Sequence, residues 1–297
     1  MLEVNSKQRD NLIGSLLMVL SMAAFSVEDS FLKAAAQTLP IGQILILFGV
    51  GGAAVFTGLA KFNNQPLFPK EVLSKPMRIR VLFEITGRLF YMLAIALTPL
   101  SSATVILQAT PVVVVAGAAL VFGEKVGIQR WAAIFVGLFG VIIIIGPGTD
   151  SFSLLSVLAV LGMLGFAGRD LASRAAPANL SIAILGVYGF LSVIVAGAAF
   201  SIWEGSVWVP LDPNSTIYMM GSLFAGVLAY AALMKAMRTG DVSAVTPFRY
   251  SRLLFGVTLG VLFFGEQLTF AMLLGSGLIV ISGLFILWQG KQIKPLC

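Results

Sequence analysis

The chain has no histidine anywhere in its 297 residues. That removes imidazole acid–base catalysis, histidine metal sites and histidine proton relays together. Its one cysteine, Cys297, is the last residue, so no intrachain disulfide can form and no thiol chemistry is indicated. Charge is scarce: 11% of residues are charged against 58% hydrophobic, and the mean hydropathy is +0.99. A soluble globule does not have that composition. The chain reads as an all-α integral membrane protein whose solvent is the lipid bilayer. The formal excess of six positive charges is not a nucleic-acid footprint, because the Lys and Arg sit in short loops and not on one basic face. The first apolar run follows a short polar start without a small-residue cleavage site, so it is expected to be a retained helix and not a signal peptide.

A spanning helix needs about 20 mostly apolar residues. Ten runs qualify, at 11–32, 40–60, 79–97, 101–122, 127–145, 152–172, 180–203, 215–236, 242–264 and 269–288. Pro40, Pro99, Gly123, Gly146-Pro147-Gly148, Pro177, Pro210, Pro213 and Gly265 punctuate the joints, and no segment between runs is long enough to be a domain. Placing the N-terminus in the cytoplasm puts fourteen loop cations inside: Lys7, Arg9, Lys61, Lys70, Lys75, Arg78, Arg80, Lys125, Arg130, Arg174, Lys235, Arg238, Lys291 and Lys294. Only Lys33 falls outside. By the positive-inside rule both termini are cytoplasmic and the protein is multi-pass in the inner (plasma) membrane. Trp203 and Trp208 fit an outer interfacial belt, Trp131 and Trp288 an inner one.

The second half repeats the first at an offset of about 141 residues. Between 16–34 and 157–175, seven of nineteen pairs are identical: Leu17/Leu158, Val19/Val160, Leu20/Leu161, Met22/Met163, Phe25/Phe166, Asp29/Asp170 and Ala34/Ala175. Lys33/Arg174 keeps its charge, Ser102-Ala103 matches Ser243-Ala244, and Phe122-Gly123-Glu124 matches Phe264-Gly265-Glu266. Each half, 11–146 and 152–288, holds five runs. An odd-numbered repeat must enter the membrane upside down the second time, which is how many secondary transporters build two exchangeable gates around one central site.

A charge at the middle of a lone spanning helix costs roughly 2.5–3.5 kcal/mol, so such residues face protein or water and tend to be functional. Here they concentrate in four runs: Glu28 and Asp29 in the first, Glu84 and Arg88 in the third, Arg169 and Asp170 in the sixth, Arg249 and Arg252 in the ninth. A central polar cavity walled by these runs, with the fourth and eighth as their repeat partners, is the simplest arrangement. Arg88 falls near the midplane with Glu84 one turn below it, where the two can pair. Arg249 falls near the level of Glu84, and its repeat partner is Gln108, an amide that needs partners when buried. Glu84, Arg88, Arg249 and Arg252 therefore either tie the third and ninth runs together or bind a substrate carboxylate, for which arginine offers a bidentate fork. Tyr91 and Tyr250 adjoin the charges and join this substrate-binding set. Asp29 and Asp170 lie near opposite ends of their runs, each with a cation four residues on, Lys33 and Arg174. They read as helix-end ion pairs of little worth or as two symmetry-related gates. Gly137, Gly140, Gly275, Gly277 and Gly283 in the fifth and tenth runs permit close helix approach and offer a face for a homodimer.

Ten runs, two five-helix halves, and Gly-Glu after the fourth helix of each half (Gly123-Glu124, Gly265-Glu266) resemble the drug/metabolite transporter (DMT) superfamily. The likeness is to its EamA family, which includes YddG-type amino-acid exporters, and covers 11–288. It implies ten transmembrane helices in two inverted-topology repeats around a central cavity, alternating access by rocking of helix pairs, and helices 5 and 10 set back. Thr246-Pro247-Phe248-Arg249-Tyr250 is similar to a motif of members associated with uptake of S-adenosylmethionine or vitamins. A secondary transporter is expected, exporting amino acids of broad specificity including aromatic ones, with import of a larger metabolite or lipid-carrier flipping as alternatives. An enzyme is not expected, for want of histidine, of a paired acidic metal motif and of extramembrane surface. Neither a cofactor nor a metal is expected.

Overall fold

A computed structural model of the protein describes residues 2–123, 127–145, 154–177, 179–239 and 246–292. A backbone out of reach of water must satisfy its own polar groups, and helices do so within one segment. The described residues accordingly form eleven α-helices: α1 Leu2–Ala35, α2 Ile41–Phe62, α3 Lys75–Leu97, α4 Leu100–Leu107, α5 Thr110–Phe122, α6 Ile128–Ile145, α7 Ser156–Arg174, α8 Ile182–Glu204, α9 Pro213–Thr239, α10 Ser251–Phe264 and α11 Phe270–Gln292. Short 3-10 turns cover Lys70–Leu73 and Thr246–Tyr250. Six stretches are long and apolar enough to cross a membrane: α1 from Arg9, α2, the α4–α5 unit, α7, α8 and α9.

The fourth run is not one helix. Pro111 has no N–H to give the carbonyl of Leu107, so α4 stops and α5 starts with proline in its first turn. The Thr110 hydroxyl donates to that carbonyl instead, at 2.5 Å. The ninth run is likewise divided, into the 3-10 turn Thr246–Tyr250 and α10. Both broken units end alike: Gly123 and Gly265 take left-handed conformations, φ 65° and 61°, which only glycine adopts without a steric cost. At the start of α9, Asp212 accepts from the Ser215 amide at 2.7 Å and returns its own N–H to the Ser215 hydroxyl at 2.9 Å. The Ser215 hydroxyl, which also donates to this carboxylate, and the Ser215 amide together hold the Asp212 carboxyl below its usual range. This reciprocal cap is intact above the ordinary aspartate pKa of about 3.9 and lost as pH falls through the depressed value.

Four helix pairs make up the bundle: α1 with α9, α2 with α8, α3 with α7 and α6 with α11. Each runs antiparallel. On α1, Ser21 donates to the Ala229 carbonyl of α9 at 2.7 Å, while Phe31, further along, lies over Gly221, an earlier residue. The same reversal relates Gly42 and Gly49 of α2 to Gly197 and Phe190 of α8, and Gly137 and Gly140 of α6 to Ser282 and Gly275 of α11. Repeat partners meet each other at two places. The Gln108 side-chain amide donates to the carbonyl of Arg249, 141 residues on, at 3.1 Å, and Gly49 rests on Phe190 at the same offset.

The loops sort into two ends. Gln65 and Glu71 bond Ser181 and Asn179 at one; Gln43 exchanges two hydrogen bonds with Val209, at 2.7 and 2.8 Å, at the other. A cavity of about 270 Å³ opens at the first end, lined by Gln65, Pro69, Glu71, Asn179, Ser181 and Ile184. It lies away from the buried charges where the sequence placed the cavity. Aromatic packing fills the middle, with Phe190 against Phe48 and Phe56 at centroid distances of 5.3 and 5.6 Å.

Glycine sets the spacing of α3 and α7, since a Cβ on Gly165 would run into the backbone of Gly87. Replacing Gly165 by alanine should cost about 1–3 kcal/mol by overpacking. Gly58→Ala, where a Cβ meets nothing within 4 Å, should leave the melting temperature unchanged. Thermal unfolding of the two variants in detergent checks the contrast.

Candidate functional site

Every charged side chain singled out inside the runs is drawn into the interior and paired. Two linked groups result. In the first, Arg88 of α3 is paired with Glu28 of α1, and Arg252 of α10 with Asp29 of α1 at 2.6 Å. The Tyr91 hydroxyl donates to the same Asp29 oxygen at 3.0 Å. Both guanidiniums lie on aromatic faces, Arg88 on Phe48 at 4.5 Å and Arg252 on Phe25 at 5.0 Å, a favourable geometry for a desolvated cation. In the second, Glu84 of α3 takes Arg80 at 3.5 Å and Arg169 of α7 at 3.3 Å. Asp170 takes Arg169 at 2.9 Å and Arg249 at 3.4 Å. Arg80 also donates to Ser173 at 3.0 Å.

The two groups differ in access. The side chains of Glu28 and Asp29 are 1% exposed, whereas those of Arg169, Asp170 and Arg249 retain 21–24%. Access in the second group is confined to Arg169, Asp170 and Arg249, since Arg80 and Glu84 are buried. Ionised groups removed from water need partners on every side, and deleting one partner strands the other.

Several expected pairings are corrected by this geometry. Glu84 does not pair with Arg88; it faces Arg80 on its own helix and Arg169 across the interface, because the α3 surface carrying Arg88 turns toward α1. Lys33 does not pair with Asp29, which is buried inward against Arg252. Arg249 and Arg252 do not act as one unit, since each takes a different aspartate. Tyr91 is fully buried, edge-on to Phe166 at 5.7 Å. Tyr250 is also buried and turns toward Gly283 of α11. Gln108 holds the Arg249 backbone. The side chain of Arg174 lies outside the described residues, as do Glu124 and Lys125. Glu28 and Arg169, expected among the charges of the cavity wall but in neither the substrate-binding nor the gating set, join these pairs, and Arg80, expected as a loop cation, is buried with them.

Lys33 has another role. Its ammonium donates to the carbonyls of Ile95 and Thr98 at 3.0 and 2.7 Å, at the C-terminal end of α3, and pairs with Glu266 at 3.8 Å. The Glu266 carboxylate accepts the Leu100 and Ser101 amides at 2.6 and 2.9 Å and the Ser101 hydroxyl at 2.6 Å. A cation sits at a helix C-terminus and an anion at a helix N-terminus, each where the macrodipole favours it. The Gly-Glu pair thus has a physical meaning: the glycine ends α10 and the glutamate turns back to cap α4.

With this architecture in view, comparison with known proteins places the chain. It belongs to the EamA-like transporter family, whose model matches residues 12–146 and 154–288, within the drug/metabolite transporter superfamily, and it is a multi-pass membrane transporter. It is 28% identical over 282 residues to a riboflavin transporter of Rhizobium johnstonii, covering 93% of this chain and 91% of that one. It is 29% identical over 275 residues to a pseudopaline exporter of Pseudomonas aeruginosa, covering 91% and 94%. A Rickettsia bellii S-adenosylmethionine uptake transporter is 25% identical over 216 residues, 72% of each chain. One solved structure, described only as that of a protein, shares the fold with a TM-score of 0.62 at 18% identity, covering 95% of this chain and 99% of its own.

Removing one partner of the buried α1 pairs should be severe. Arg88→Ala leaves Glu28 ionised and unpaired, which costs about 3–5 kcal/mol, and the variant should melt far below the parent. The double variant Arg88→Met/Glu28→Met should recover most of that loss. A thermal-shift series across the parent, Arg88→Met, Glu28→Met and the double variant measures the coupling directly.

Proposed function

We propose that this chain is a secondary transporter that moves small polar metabolites across the inner membrane by alternating access between two inverted five-helix halves. The observation that carries this reading is the mixed-sign network of Arg169, Asp170 and Arg249, partly exposed between α7 and the start of α10 while its α1 counterpart is closed off. A zwitterionic solute finds both signs of charge there. The inverted arrangement is supported by the antiparallel pairing of α2 with α8, and by the meeting of Gln108 and Arg249, as repeat partners do at an axis of twofold pseudosymmetry. Sorting of the loops into two ends supports repeated crossings, and the loop cations are the ground for placing both termini in the cytoplasm. No enzymatic step is part of this reading.

Export of amino acids, aromatic ones included, is the specific assignment. Uptake of a larger metabolite stands beside it with equal support, since two of the relatives are a riboflavin transporter and an S-adenosylmethionine uptake transporter. Flux in both directions, measured in proteoliposomes with labelled phenylalanine, S-adenosylmethionine and riboflavin, separates the two. Saturable phenylalanine flux that the other two do not inhibit is the expected outcome; saturable riboflavin or S-adenosylmethionine flux without phenylalanine flux selects uptake of the larger metabolite. Impermeant thiol labelling of single cysteines at Asn214 and Asn63, in a background lacking Cys297, tests orientation: Asn214→Cys should react from outside intact cells and Asn63→Cys should not.

A further inference from the structure

The buried charges do not balance. Among the described side chains of the two groups there are five arginines, Arg80, Arg88, Arg169, Arg249 and Arg252, against four carboxylates, Glu28, Asp29, Glu84 and Asp170. Lys33 and Glu266 form a separate neutral pair. Among the described side chains the two groups thus carry one more positive charge than negative, and a charge drawn away from water is expensive unless it is partnered. Hydrogen bonding leans the same way. Buried nitrogens of Arg80, Arg88 and Arg252 find no acceptor among the described residues, against one open carboxylate oxygen, that of Asp29. Donors exceed acceptors, and a guanidinium has nothing to accept with.

The surplus has a location. Asp170 is shared: Arg169 holds it with two nitrogens, at 3.0 and 2.9 Å, and Arg249 reaches it once, at 3.4 Å. Arg249 is thus the least engaged of the five, and with its side chain 24% exposed it is also the most accessible. Its backbone is held by Gln108 at the break between α4 and α5, so the guanidinium is presented from a fixed point. Arg169, stacked on Phe166 at 4.8 Å, stands on the far side of Asp170.

We infer that the site selects solutes bearing a compact anionic group, a carboxylate or a phosphate, which Arg249 takes as a fork while Asp170 stays with Arg169. The anionic group of the solute supplies the negative charge and the acceptors that the described side chains beside Arg249 lack. This rests on the transport site proposed above but is tested by binding, so its failure and failure of the transport assignment are distinguishable.

The experiment uses the full-length protein in lipid nanodiscs and two probe pairs whose members differ at one anionic group. L-phenylalanine against L-phenylalaninamide reads a carboxylate; riboflavin 5′-phosphate against riboflavin reads a phosphate. In at least one pair the anionic member should bind about tenfold tighter or better, as a charge-assisted bidentate contact implies, and the responding pair identifies the group. Arg249→Gln should erase the preference between the two members of the responding pair. Arg249→Lys, which keeps the charge without the planar fork, should retain part of it and serves if the glutamine variant does not fold. Tight anion binding without flux would sink the transport assignment and leave this inference standing. Equal or tighter binding of the neutral member in both pairs, or no binding by either anionic member, overturns it.

Discussion

The structure turns on the requirement that charge buried away from water be paired from several sides at once. An interior ion costs several kcal/mol unless its partners are well placed, and this chain draws nine charged side chains, fully or partly buried, into its two groups. Their pairings cross helix boundaries and dictate which surfaces meet. Glu28 and Asp29 turn α1 toward both α3 and α10, and Glu84 ties α3 to α7 through Arg169. Glycines let the backbones close in far enough for these pairs to form: Gly87 against Gly165 between α3 and α7, Gly256 against Thr104 between α10 and α4.

A second constraint closes one end of the bundle. The α3–α4 junction is a break in helix whose exposed carbonyls and amides would otherwise need water. Lys33 and Glu266 supply partners from α1 and from the turn after α10, so four elements are tied by two side chains. In the proposed orientation this end is the outer one. In that orientation the more exposed Asp170 group lies toward the inner end and the buried Asp29 group toward the outer one. The repeat partners of Lys33 and Glu266 in sequence are Arg174 and Glu124.

Much of this was legible in the sequence. The apolar runs marked the helices, because a run of that length has few alternatives to helix in a membrane. The 141-residue offset matched Gln108 to Arg249, and the structure puts them in contact. Concentration of charge in four runs named the elements of the site. Partner choice was not legible. Whether Glu84 meets Arg88 or Arg169 depends on how α3 is rotated against α7, and whether Lys33 meets Asp29 or Glu266 depends on a loop folding back. Both are set by tertiary packing, with no local signal. The break in the fourth run was written in Pro111 yet hidden by the apolar residues around it. Gly-Glu was legible as a family mark, but its capping role required α4 to lie beside the turn.

Two repeat-related aspartates flank one basic segment, Asp29 paired with Arg252 and Asp170 with Arg249, and in the proposed carrier releasing either pair opens the protein on that aspartate's side. This coupling is tested most directly by the accessibility of one buried reporter, Ser26→Cys beside Arg252, in a background lacking Cys297. Labelling rates from each face are compared for the parent, Asp29→Asn and Asp170→Asn. The account expects faster labelling from outside in Asp29→Asn and from inside in Asp170→Asn, since a state that loses a contact loses population. Equal rates in all three proteins, or shifts in the same direction, would contradict it.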